Sequence, residues 1–270
     1  MRTVLTIAGS DCSGGAGIQA DLKTITAFGM YGMSVITALT VQNTQGVFAV
    51  SETGESVLKG QLDAVFSDIT PDAVKIGMLP SEEAVLLAAE ALKKYRHGQA
   101  VLDPVMVSTS GRRLMDKSAM EAAFQKLYPL VSVITPNVPE AEVIWGRRIS
   151  APEDMEQAAL QISDRFHGAV LVKGGHMPGN ASDCLAFLGT ARWFPGKRLD
   201  VKNSHGTGCT LSSAIACGLA AGWDLEMAVK KAKRYLTGAL KNEPGLGHGN
   251  GPLNHCYRIP EPSLEEAEDE

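Results

Sequence analysis

A doubly wound α/β domain with a mainly parallel sheet is the fold class this sequence predicts, and three observations predict it. Short, apolar, β-rich runs alternate with longer segments of helical period. The short runs read as continuously apolar, so both of their faces must be covered, as in a parallel sheet between helical layers. No proline- or serine-rich linker, low-complexity tract or charge break divides residues 1–258.

The expected strands are residues 4–8, 34–39, 73–76, 100–102, 131–135 and 169–172. A helix is expected over 16–28, after a glycine-rich turn. A second opens at Ser81, an N-cap candidate followed by Glu82 and Glu83 in the first turn, and runs to about residue 96. Helices follow over 116–127, 139–145 and 152–166. Residues 184–188 and 192–194, joined by Gly189-Thr190, predict an antiparallel pair after the last parallel strand. Two final helices are expected over 210–221 and 225–240; in the second, Leu225, Ala228, Ala232, Tyr235, Leu236 and Ala239 recur at spacings of helical period.

Composition narrows the function. The 270 residues are 44% apolar and 20% charged, enough for a core without disulfide or metal staples. No run approaches the ~20 apolar residues of a membrane span. The apolar run near Met1 is too short for a signal peptide and reads as the first buried strand. A net charge of −5 argues against a general nucleic-acid or anionic-membrane binder. It does not argue against a small anion held by backbone N–H groups. Residues 259–270 are expected as a separate acidic tail. The five cysteines, Cys12, Cys184, Cys209, Cys217 and Cys256, contain no Cys-x-x-Cys pair, so a reducing cytoplasm is expected.

In a doubly wound sheet ligands bind beyond the carboxyl ends of the strands. After the first strand, Gly9, Gly14, Gly15 and Gly17 fall within nine residues. Gly15 stands where a Walker A loop needs lysine. Gly15-x-Gly17-x-x-Ala20 meets a loose dinucleotide pattern but lacks its acidic partner between Asp21 and Glu52. A turn without a ligand is an equally open reading. The strongest local signal is Asn203-Ser204-His205-Gly206-Thr207-Gly208-Cys209-Thr210, which leads straight into a helix. Free N–H groups at such a start suit an anion in transfer, and the positive helix end predicts a Cys209 thiolate near neutral pH. Cys209 could then act as a base or as a nucleophile, with His205 as the partner of a nucleophilic cysteine. It could equally be a small buried residue in a tight turn. Asp103, Asn137 and Glu140 at two further strand ends suit hydrated Mg²⁺, and Lys173 at a third suits a nucleotide phosphate. Each alone also reads as a cap, a turn residue or a solvated lysine.

Taken together, several stretches resemble the hydroxymethylpyrimidine/phosphomethylpyrimidine kinases of thiamin biosynthesis, a vitamin-kinase branch of the ribokinase-like group. They are the run from Ala8 to Thr24, the run from Thr37 to Val47, Lys75-Ile76-Gly77-Met78-Leu79, Asp103-Pro104-Val105-Met106, Asn137-x-x-Glu140, the run from His205 to Thr210, and the run from Gly249 to His255. The resemblance implies a three-layer α/β/α sandwich, ATP and Mg²⁺, and a small pyrimidine alcohol and its phosphate as acceptors. It further implies a homodimer. Gly9, Ala16, Asp21, Gln42, Met78 and Val105 would form the pyrimidine pocket. Gly206, Gly208 and Cys209 would form the catalytic anion hole, with Cys209 taking the acceptor proton. Asp103 and Glu140 would hold the metal, while Lys173, Asn137 and Thr207 would bind the nucleotide. Related pyridoxine and pyridoxal kinases are the alternative. Two positions depart from the family pattern: Cys12 replaces a common serine, and Asn250 interrupts a stretch that often reads Gly-His-Gly.

Overall fold

The computed structural model describes residues 1–95, 99–107, 111, 114–177, 179–201 and 203–260. The expected acidic stretch over 261–270 and the end of the helix near residue 96 lie outside them.

Among the described residues nine strands form one sheet in the order β3-β2-β1-β4-β5-β6-β7-β8-β9. They are β1 (Thr3–Asp11), β2 (Tyr31–Asn43), β3 (Gly46–Glu52), β4 (Ala73–Ile76), β5 (Ala100–Leu102), β6 (Val133–Ile134), β7 (Ala169–Val172), β8 (Asp183–Phe187) and β9 (Thr190–Phe194). The six strands from β2 to β7 in that order are mutually parallel. The edges turn antiparallel: β3 pairs with β2, and β8 and β9 continue from β7.

Alternate residues of each parallel strand explain why the runs are apolar throughout. Leu5, Ile7, Val74, Ile76, Leu102, Ile134, Val170 and Val172 face one helical layer. That layer is α2 (Glu55–Asp68), α3 (Glu82–Lys94), α4 (Lys117–Ala122), α5 (Val138–Trp145) and α6 (Pro152–Phe166). Val4, Ala73, Val101, Val133, Ala169 and Leu171 face the other. There they meet α1 (Gly17–Ala27), α7 (Thr207–Ala220) and α8 (Leu225–Lys241). Each fully buried Leu, Ile or Val contributes about 1.5–3 kcal/mol, so two apolar faces outweigh the poor helix propensity of these segments. The expected three-layer α/β/α sandwich is the observed one.

Local signals set the helix ends that matter for the site. Asn137 and Glu140 form a reciprocal capping box: Glu140 N–H donates to Asn137 Oδ1 (2.9 Å) and Asn137 N–H donates to Glu140 Oε2 (2.8 Å). Asp116 caps α4 through Ala119 N–H, whereas Ser81 makes no side-chain cap bond. β2 extends beyond the expected 34–39 at both ends, and β3 and the helix α2 were not among the expected elements. Their residues are half-exposed and of mixed polarity, and α2 buries only Leu58, Leu62 and Phe66.

Candidate active site

Because β1 and β4 to β7 run parallel, the residues that follow each of them emerge along one edge. A continuous cavity of about 1230 Å³ opens there. Gly9, Ala16, Gln42, Met78, Val105, Asp103, Asn137, Glu140, Lys173, Gly206, Thr207, Gly208 and Cys209 all line it. Of the residues expected at the site, Asp21 alone is not on the wall.

The acceptor end is built from β1, the loop after it and the tip of β2. Asp11 is buried and organises that loop: its carboxylate accepts from Ser13 N–H and Oγ, Gly15 N–H and Ala16 N–H. His205 Nε2 lies 2.9 Å from Asp11 Oδ2 and 3.0 Å from Gln42 Nε2. Burial alone would raise the Asp11 carboxyl, but the bonds from His205 and Ser13 outweigh it and bring it down to about 2. His205 therefore engages the acceptor wall: its Nε2 stands within reach of both Asp11 and the Gln42 amide, and in donating to Asp11 it has no lone pair left to accept from Gln42 Nε2. Cys12, at the departure from serine, donates its thiol to Gln42 O (3.2 Å).

Asp21 lies one layer beneath the wall. The resemblance places it in the pyrimidine pocket, but its buried carboxylate accepts from Thr6 Oγ1 (2.6 Å), Lys75 Nζ (2.7 Å) and Ser213 Oγ (2.7 Å). Lys75, itself fully buried, reaches the cavity instead. Burial pushes the Lys75 ammonium down, yet Asp21 first, then Cys209 and Asp103, hold it charged above the usual lysine range. The signal for this group was a lysine inside the apolar run Ala73-Val74-Lys75-Ile76, on the face where Thr6 also points.

The donor end is made of charges. Lys173 Nζ donates to Asp103 Oδ1 (2.6 Å), which also accepts from Thr135 Oγ1 (3.2 Å). Glu140 is pushed up to about 7, by burial first; Asp103 raises it further, while Lys173 and the N–H groups of Asn137 and Met106 pull it back. Asn137 faces the cavity with its Oδ1 already engaged in the capping box. Among the described residues no three His, Cys, Asp or Glu side chains cluster as a ready metal cage. Hydrated Mg²⁺ needs none, since it keeps most of its waters.

Between the two ends stands the start of α7. Gly206 is its N-cap with φ of 84°, a left-handed turn that only glycine adopts without strain, and a Cβ there would run into the Gly15 carbonyl. The first-turn N–H groups of Gly208 and Cys209 have no acceptor within the helix. The thiol of Cys209, however, is not the neutral-pH thiolate that the helix start predicts. Burial pushes it up to about 11; Lys75 and the Gly17 N–H lower it, but Asp21 and Asp103 raise it. The helix end is outweighed by desolvation and two carboxylates.

With this geometry in place, comparison with known proteins is direct. The family model for phosphomethylpyrimidine kinase matches residues 11–254. The hydroxymethylpyrimidine/phosphomethylpyrimidine kinase of Rhizobium meliloti is 48% identical over 94% of this chain and 97% of its own length. A thiamine biosynthesis bifunctional protein of Geobacter sulfurreducens is also 48% identical over 94% of this chain, which spans only 52% of that relative. The solved phosphomethylpyrimidine kinase of Clostridium difficile superposes with a TM-score of 0.78 at 48% identity, covering 88% of this chain and 98% of that one. An ADP complex of Bacillus subtilis pyridoxal kinase superposes at 0.89 with 35% identity, covering 96% of this chain and all of that one. Fold alone does not separate the two kinases, but identity and the match over 244 of 270 positions do: the chain belongs to the phosphomethylpyrimidine kinase family.

Proposed function

We propose that this chain is an ATP-dependent kinase that phosphorylates 4-amino-5-hydroxymethyl-2-methylpyrimidine and then converts the monophosphate to the diphosphate. The observation that carries the reading is the α7 start, with Gly206, Gly208 and Cys209 set between the acceptor and donor ends of one cavity. Gln42 offers a donor and an acceptor on one amide, which suits the edge of an aminopyrimidine. Met78 and Val105 supply apolar walls, and the backbone at Gly9 and Ala16 closes the pocket. Asp21 acts from beneath by fixing Lys75.

Transfer asks for three things of these residues. Cys209 takes the proton of the attacking hydroxyl in its thiolate form, reached only after the thiol has given its own proton to solvent; Lys75 below favours that form, against burial and the Asp21 and Asp103 carboxylates. The N–H groups of Gly208 and Cys209 meet the charge on the transferred phosphoryl group. Lys173 and the Thr207 hydroxyl neutralise and orient the nucleotide phosphates, and Asn137 holds Glu140 in place through their capping box. Asp103 and Glu140 fit a divalent cation, because the two carboxylates resist ionising together and a cation between them relieves that repulsion. Mg²⁺ bound there would supply charge neutralisation on the phosphates.

The exposed apolar side chains Leu39, Val41 and Phe48 on the β2–β3 hairpin support a homodimer. A kinase of this family that draws on ATP is expected in the cytoplasm; among the described residues no helix is long and apolar enough to cross a membrane.

The test is a ³¹P NMR time course with ATP, Mg²⁺ and the hydroxymethylpyrimidine. A monophosphate resonance that gives way to the diphosphate is expected. A reaction that stops at the monophosphate and turns over pyridoxine faster would transfer the reading to the pyridoxal kinases, whose fold is equally close.

A further inference from the structure

After α8 the chain turns back toward the cavity, and in Gly249-Asn250-Gly251 the backbone N–H of Asn250 reaches the hairpin while its side chain reaches the loop before α7. Asn250 N–H donates to the Thr44 carbonyl (2.9 Å) at the tip of the β2–β3 hairpin. Its side-chain Oδ1 accepts from Ser204 N–H (2.7 Å), and its Nδ2 donates to Ser204 Oγ (3.3 Å). Thr44 is two residues past Gln42, and Ser204 is two residues before Gly206. One residue thus spans from the acceptor-reading strand to the loop that opens the anion hole.

Its neighbours allow nothing bulkier. A Cβ at Gly249 would run into the Thr44 carbonyl, and one at Gly251 would lie 2.6 Å from both Asn203 Oδ1 and the Leu246 carbonyl. The backbone is pressed into this path on purpose-built contacts: Gly249 N–H donates to Thr44 Oγ1 (3.2 Å), Gly251 N–H to Asn203 Oδ1 (2.8 Å), and His205 N–H to the Gly251 carbonyl (3.2 Å). Pairing of β2 with β1 ends at Thr40, and beyond it the hairpin, with Leu39, Val41 and Phe48 exposed, is tied to the rest of the site by hydrogen bonds, among them those of Gln42 with Cys12 and of Thr44 with Gly249 and Asn250.

We propose that Asn250 is a positioning residue for phosphoryl transfer, a clip that sets the register between the Gln42 hairpin and the Gly206–Cys209 helix start. The inference rests on the kinase reading above. Reacting atoms must meet within a few tenths of an ångström, and a misplacement of about 1 Å costs on the order of 100-fold in rate. Asn250 does not line the cavity; it acts through Thr44 and Ser204.

The experiment compares full-length wild type, Asn250→Ala and Asn250→Asp by steady-state kinetics and by hydrogen–deuterium exchange. Asn250→Ala keeps the N–H to Thr44 and deletes the link to Ser204. Its kcat should fall about 10- to 100-fold while KM for ATP stays within about twofold. Exchange should rise together in peptides covering 42–46 and 203–209. Asn250→Asp keeps an acceptor for Ser204 N–H and can accept from Ser204 Oγ, so it should restore kcat to within a few-fold of wild type. Wild-type kcat in Asn250→Ala, or a loss that disappears when rates are corrected for folded protein, overturns the clip. So does a rise in exchange confined to one of the two peptides. Should Asn250→Ala fail to fold, Asn250→Gly makes the same deletion with a residue that its glycine neighbours already tolerate. If wild type itself phosphorylates no pyrimidine, the kinase reading fails, and the paired exchange result still decides whether the clip exists.

Discussion

The two ends of the cavity are built from different materials. At the acceptor end the polar groups are largely paired: Asp11 takes bonds from Ser13, Gly15, Ala16 and His205, and Gln42 Oε1 accepts from Thr40 Oγ1. At the donor end charge is left unbalanced, with Asp103 and Glu140 against Lys173 and Glu140 poised near neutrality. A hydrogen-bonded wall holds a shape, whereas a strained set of charges waits for the charge of its ligand. The contrast assigns recognition to one end and phosphate electrostatics to the other, with the start of α7 shared between them.

The shared element should show the largest effect. Cys209→Ala should lower kcat about 10²- to 10⁴-fold, the usual range for losing a general base, and leave pyrimidine affinity by calorimetry nearly unchanged. If affinity and kcat fell in proportion, Cys209 would belong to the acceptor wall rather than between the two ends. On the donor side, Lys173→Ala removes the cation that Asp103 holds at 2.6 Å. A loss of about 10²- to 10³-fold in kcat/KM for ATP is expected, comparable to deleting one transition-state donor. Pyrimidine affinity should stay put; a parallel loss there would erase the division between the ends. On the acceptor side, Gln42→Ala should raise KM for the pyrimidine about 10- to 100-fold and leave KM for ATP within twofold.

How far the sequence carried this picture depends on burial. The strands β4, β5 and β7 have the bounds expected of them, because runs covered on both faces carry one unmixed signal, and so does α6, because its buried residues recur with helical period. Of β2 only its middle, 34–39, was legible; β3 and α2 were not, because their half-exposed residues mix polarities and draw their order from tertiary contacts. Residues that follow parallel strands converge by topology, so Asp103, Glu140 and Lys173 could be placed from sequence alone. Asp21 could not, since its partners Thr6, Lys75 and Ser213 come from three different elements. For Cys209 the helix start was readable, but the burial and the two carboxylates that reverse its effect were not.

Glu140 gives the mildest test and the one that joins both properties of the donor end. Its carboxyl is raised from an ordinary 4.5 to about 7 in the folded chain. Between those values the folded form binds more protons than the unfolded one at this group, so the contribution of Glu140 to stability is most favourable below pH 4.5 and declines as pH rises to about 7. Activity should run the other way. A cation site needs the ionised carboxylate, whose fraction grows roughly tenfold between pH 6 and 8 if it titrates near 7, so kcat/KM for ATP with Mg²⁺ should rise over that window. Glu140→Gln keeps an acceptor for the Asn137 N–H and removes the titration. It should flatten both curves, with lower activity at pH 8 and a denaturation midpoint at pH 8 above that of wild type. A variant that retained the wild-type rise in kcat/KM would move that titration to another group. A variant less stable than wild type at pH 8 would mean that the capping box, and not the buried charge, governs the energetics of this corner.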